Sequence, residues 1–146
     1  MDTKQKDFYQ KLRVQIKNWA QDKAGGNERW SDYVMLAPDL FHLLCRLSLD
    51  PEVPLSSKLK VGAAIAYFIS PLDFIPELFF GPVGYLDDIA VSAFVLDQLV
   101  NNVSPQLLTK HWAGDKDILM IVRSILFNAN QIIGSGLWRK IRKKFA

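Results

Sequence analysis

Four carboxylates, Asp73, Glu77, Asp87 and Asp88, lie within the 19 residues 70–88, which also hold Pro71, Pro76 and Pro82. Oxygen-rich clusters of this kind suit hard divalent cations such as Mg²⁺ and Ca²⁺. A divalent-metal-binding protein, or a metal-dependent enzyme built on this loop, is therefore one reading of the chain. Spacing sets a second reading beside it. Neighbouring helical residues point about 100° apart, so Asp87 and Asp88 need not converge. Asp73 and Glu77 share a face only if Pro76 leaves the helix between them intact. Acids in a first helical turn also offset exposed N–H groups, by about 0.3–1 kcal/mol each. Capping is the expectation here, with no cofactor required and Mg²⁺ or Ca²⁺ as the alternative.

His42 and Cys45 stand three apart in "DLFHLLCRLSL", near enough on a helix to touch. Such a pair is the raw material of a thiolate nucleophile, but the apolar setting favours a small buried hydrophobe at Cys45. His111 and Trp112 are expected to cover the edge of a core. The chain has no P-loop, Gly-x-Ser-x-Gly, His-Glu-x-x-His or dinucleotide fingerprint. No residue is assigned a catalytic role.

The last helix, over about 136–146, carries a different chemistry. Leu137, Trp138, Ile141 and Phe145 fall on one side, and Arg139, Lys140, Arg142, Lys143 and Lys144 mostly elsewhere. Basic helices with an aromatic on the apolar face bind anionic membrane surfaces, each basic residue contributing roughly 1 kcal/mol. The alternative is a helix docked on a bundle with a solvated basic face. Phosphate backbones also attract such a tail, but no base-reading motif accompanies it, so specific nucleic-acid binding is not expected. The expected partner is an anionic membrane surface or another protein, with the oligomeric state open.

Helices must position these groups. Phe8, Leu12, Ile16 and Trp19 recur at helical spacing and predict an amphipathic helix over about 3–23, capped by Asp2 or Thr3 and ended by "AGGN". A short helical piece over about 30–36 follows. Pro38 suits the first turn of the next helix, which Asp50, Pro51 and Pro54 break. Ser56 or Ser57 starts "SKLKVGAAIAYFI". Ser70, Pro71 and Asp73 fit a helix start, and Pro76 stops that helix after about a turn. Gly84 and Tyr85 open "YLDDIAVSAFVLDQLV". Ser104 and Pro105 start the next helix, Asp115 caps the one after, and "GSG" breaks it before the basic terminus. No period-two strand pattern competes. The expected fold is all-α: a single domain over 1–146, a bundle of about six or seven helices round a close-packed central hairpin. Gly62, Ala63 and Ala66 are expected to form a small-residue seam facing Ala90 and Ala93.

Composition narrows the setting. Of 146 residues 49% are hydrophobic, and Cys45 is the lone cysteine, so no internal disulfide or Cys-based zinc site can form. The polar N-terminus lacks the apolar core of a secretory signal. The net charge of +3 is unevenly spread: no Lys or Arg stands between Lys60 and Lys110, while five acids do. A hairpin with basic ends and an uncharged-to-acidic tip fits the positive-inside rule. Against spanning, the uncharged run 61–72 is 12 residues long, and a bilayer needs about 20.

The segment "DPEVPLSSKLKVGAAIAYFISPLDFIPELFFGPVGYLDDIAV", residues 50–91, resembles the DUF1232 or YkvA-like family. The matching pattern is Val53, Pro54 and Lys58, then Tyr67, then Ser70, Pro71, Asp73, Ile75, Pro76 and Glu77, then Gly84 to Asp88. "SPQLLTKHW" extends the likeness to about 112. Glu77 stands where many members have aspartate. The resemblance implies a small helical domain of bacterial type, often described as a membrane protein, with no established activity. Together these readings predict a non-enzymatic, membrane-associated interaction or scaffolding module. Its expected place is the cytoplasmic side of the cell membrane, peripheral or re-entrant, with a soluble cytoplasmic adaptor as the alternative.

Overall fold

The computed structural model describes residues 2–22, 31–69, 86–114 and 116–146. Among these the chain is all-α: α1 (Thr3–Asp22), α2 (Ser31–Val34), α3 (Ala37–Leu49), α4 (Leu55–Ile69), α5 (Leu86–Asn102), α6 (Gln106–His111), α7 (Ile118–Ile133) and α8 (Ser135–Phe145). α2 is a single turn.

Local chemistry sets most of the boundaries. Asp2 Oδ1 accepts the Gln5 N–H at 2.8 Å, and Gln5 Oε1 accepts the Asp2 N–H at 3.3 Å, a reciprocal cap on α1. Pro38 sits in the first turn of α3. Ser104 Oγ accepts the Gln106 N–H at the start of α6. The cap of α7 is Asp117, whose Oδ1 accepts the Leu119 N–H at 3.0 Å, rather than Asp115, which lies outside the described residues. Gly134 separates α7 from α8 with φ +88°, in the region that favours glycine.

The centre of the bundle is α5, which packs against α2, α3, α4, α6, α7 and α8. Every residue from Leu86 to Ala93 is buried. A helix apolar nearly all round must be enclosed in this way. α4 packs on α3 and α5 through Val61, Ala64, Ile65 and Phe68. This corrects the expected seam. Gly62, Ala63 and Ala66 are exposed, and a Cβ added at Gly62 would meet nothing within 4 Å. With apolar residues on most of its circumference, α4 is oriented by Val61, Ile65 and Phe68, and Gly62, Ala63 and Ala66 are left outside with Leu55 and Leu59. α1 packs chiefly on α3, where Phe8 meets Phe41 at 4.8 Å between centroids. Trp138, Ile141 and Phe145 bury the apolar side of α8. No helix among the described residues is long and apolar enough to cross a membrane.

Candidate functional site

The predicted acidic loop divides between described and undescribed residues. Asp73 and Glu77 lie outside the described residues, as do Ser70, Pro71, Pro76, Gly84 and Tyr85. Asp87 and Asp88 occupy the first turn of α5 and are fully buried. The Tyr67 hydroxyl donates to Asp87 Oδ2 at 3.1 Å, tying the end of α4 to the start of α5. Among the described residues no three potential ligands converge as a metal site would require.

The basic helix is docked. Trp138 and Phe145 are buried, Trp138 edge-on to Phe94 and Phe145 edge-on to Tyr67. Arg139, Lys140, Arg142, Lys143 and Lys144 are all exposed, with Arg142 over the Trp138 ring. Cys45 is fully buried and its thiol is pushed up to about 12 by loss of solvation, so it has no thiolate character beside His42.

A site that sequence reasoning missed lies at the other end of the bundle. α3 ends at Asp50, whose Oδ1 accepts the Glu52 N–H at 2.8 Å and shapes the turn into α4. α6 ends at Lys110 and His111, two basic residues placed where the helix dipole favours them. The two helix ends meet: His111 Nε2 lies 2.6 Å from Asp50 Oδ2, and Lys110 Nζ lies 3.3 Å from the same oxygen. The Asp50 side chain is 1% exposed and that of His111 9%. From the last turn of α3, Arg46 Nε donates to His111 Nδ1 at 3.4 Å. With Nδ1 accepting, the ring proton sits on Nε2 and is donated to Asp50. The result is an ordered chain, Arg46 to His111 to Asp50.

These groups border an open cavity of about 490 Å³, which Lys6 of α1 and His42 of α3 also line. His42 is held below its ordinary value, chiefly by burial and next by Arg46. Its Nδ1 is buried without a hydrogen-bond partner among the described residues. The sequence offered only one local signal, the paired basic residues ending α6. Asp50 read as a helix stop, and 61 residues separate it from His111.

The Asp50 carboxyl is pulled from 3.8 to about 2, first by the His111 hydrogen bond and then by the Glu52 N–H, against the opposing effect of burial. The unfolded chain therefore takes up this proton first as pH falls. Asp50 contributes its full stabilisation above about pH 4 and loses it toward about pH 2. An Asp50→Asn variant should lack this acid-sensitive component. Urea unfolding should show the gap between the two proteins closing over that window; a gap independent of pH would contradict the assignment.

Comparison with known proteins adds a family and no chemistry. Residues 57–94 match the family model described as protein of unknown function (DUF1232). A relative from Methanothermobacter thermautotrophicus, the "Uncharacterized protein ORF9", is 28% identical over 106 residues, 73% of each chain. No solved structure matches the chain. Lys6, His42, Arg46, Asp50, Lys110 and His111 all fall outside the matched segment. The segment that matches the DUF1232 model, 57–94, runs from within α4 to the first half of α5 and overlaps the pattern seen in the sequence.

Proposed function

We propose that this is a non-enzymatic helical module that associates peripherally with anionic membrane surfaces, at the cytoplasmic face of a bacterial membrane, and serves there in interaction or scaffolding. One observation carries the reading. Five cationic side chains of α8 are exposed on a helix that contains no acid. The apolar side of α8 is committed to the bundle, so the attraction is electrostatic and reversible rather than insertional.

The packing of α8 also favours peripheral over re-entrant binding. Phe145 lies against Tyr67, at the end of the bundle where α4 stops and α5 begins. Driving that end into lipid would carry Lys143 and Lys144 with it, at roughly 2.5–3.5 kcal/mol each at the bilayer centre.

Deleting α8 is a poor test, because removal would bare the core that Trp138, Ile141 and Phe145 cover. Replacing Arg139, Lys140, Arg142, Lys143 and Lys144 by glutamine leaves those residues in place. At roughly 1 kcal/mol per basic residue, the five changes should weaken sedimentation with phosphatidylserine vesicles on the order of a thousandfold at low salt. Wild-type binding should also fall steeply at about 0.5 M salt, where screening is short-ranged. A folded five-glutamine variant that sediments like the wild type would overturn the reading.

A further inference from the structure

We infer that the cavity between α1, α3 and α6 is a binding site for a small organic phosphate monoester, with Arg46, Lys6 and Lys110 holding the phosphate and Leu49 and Pro51 facing its organic part. The argument starts from which charges are already matched. Five charged side chains line the cavity: Lys6, Arg46, Lys110, Asp50 and Glu52. The Asp50 carboxylate is fully engaged by His111, Lys110 and the Glu52 N–H. Glu52 is exposed. Neither Arg46 nor Lys6 has a carboxylate partner among the described residues. Arg46 spends its Nε–H on His111, which fixes the guanidinium plane and leaves its two terminal amino groups for a ligand.

The donor set points to phosphate over carboxylate. A guanidinium fork matches two phosphate oxygens at once, and ammonium groups add charge without demanding geometry. With Lys110 matched by Asp50, Arg46 and Lys6 are the two positive charges left for a ligand; a dianion takes both, and a carboxylate would leave one over. His42 lines the same cavity beside Arg46. Size points to an ester. About 490 Å³ is within the range of small-molecule sites, roughly 300–1,000 Å³, and far exceeds inorganic phosphate. Leu49, 65% exposed at the mouth, gives an apolar body something to cover.

Two sources share this chemistry: a free phosphate monoester and a lipid bearing a monoester headgroup. The cavity lies where α4 begins, and the Phe145–Tyr67 contact lies about 18 Å along that helix. The site is thus separate from the lysine-rich end of α8, and its occupancy can be measured apart from vesicle binding.

The experiment is a titration of the full chain with phenyl phosphate, followed by backbone amide shifts. The expected result is a saturable change confined to the first turn of α1, the C-terminal half of α3 and α6, with Kd on the order of a millimolar or below. Arg46→Gln and Lys6→Gln should each weaken binding about tenfold, with Lys17→Gln, on the far part of α1, unchanged. Thermal melts establish that each variant is folded. A phosphate diester of the same phenyl body should bind more weakly, having one charge fewer. Vesicles of phosphatidic acid and of phosphatidylglycerol identify the source. If the headgroup is bound, Arg46→Gln lowers retention on phosphatidic acid selectively; if a free ester is bound, retention is unaffected while phenyl phosphate binding falls. Non-saturable shifts scattered over surface lysines, or folded Arg46→Gln and Lys6→Gln variants that bind as the wild type does, would overturn the proposal.

Discussion

Trp138→Ala is expected to lower the free energy of unfolding by about 3–5 kcal/mol and to leave the vesicle affinity of the folded protein nearly intact. Trp138 is 6% exposed, with its ring edge-on to Phe94 at 5.7 Å and 88°. Such a pair adds about 0.5–1.5 kcal/mol to the burial itself. Arg142 lies 5.7 Å above the same ring, so the truncation also removes a cation–π contact from the basic face. Urea unfolding and vesicle sedimentation together give a two-way readout. A helix that rests loosely on the bundle and inserts its aromatics into lipid would give the reverse pattern: unchanged stability and lost sedimentation. Trp138→Phe should recover most of the stability, because a ring can still meet Phe94.

Phe41→Ala is expected to cost a similar amount, about 3–5 kcal/mol. Phe41 is fully buried, with Phe8 of α1 at 4.8 Å and Phe68 of α4 at 5.5 Å, the latter T-shaped. One side chain therefore joins three helices. Chemical denaturation measures the loss. The variant bears on the cavity as well, since α1 carries Lys6 and is held chiefly by α3. Phenyl phosphate binding to folded Phe41→Ala should weaken in the manner of Lys6→Gln.

What could be read from the sequence was local. The Asp2 cap, Pro38 in the first turn of α3, Ser104 before α6 and Gly134 between α7 and α8 each act within a few residues, and each is found as expected. Asp87 and Asp88 were correctly placed in a first helical turn, but their complete burial depends on six other helices packing round α5. The face of α4 was misread for a related reason. Small residues mark a seam only where larger ones do not compete for it, and Val61, Ile65 and Phe68 do. The Asp50–His111 pair left no periodic trace, because its members end two separate helices and meet only when both dock on the same neighbours. The charge on α8 was legible; which of its faces was spoken for was not.

The enclosure of α5 has a consequence for how the molecule opens. A helix walled by six neighbours can expose its amides to solvent only when most of the bundle comes apart, whereas one held chiefly by a single neighbour can detach alone. Amide hydrogen exchange should therefore be slowest in Ile89–Leu96 and follow global unfolding there, and be markedly faster along α1 at the same pH. The cavity then takes one wall from a helix held chiefly by a single neighbour. Occupancy by a ligand that grips Lys6 would slow exchange in α1 first, long before it registers at the centre.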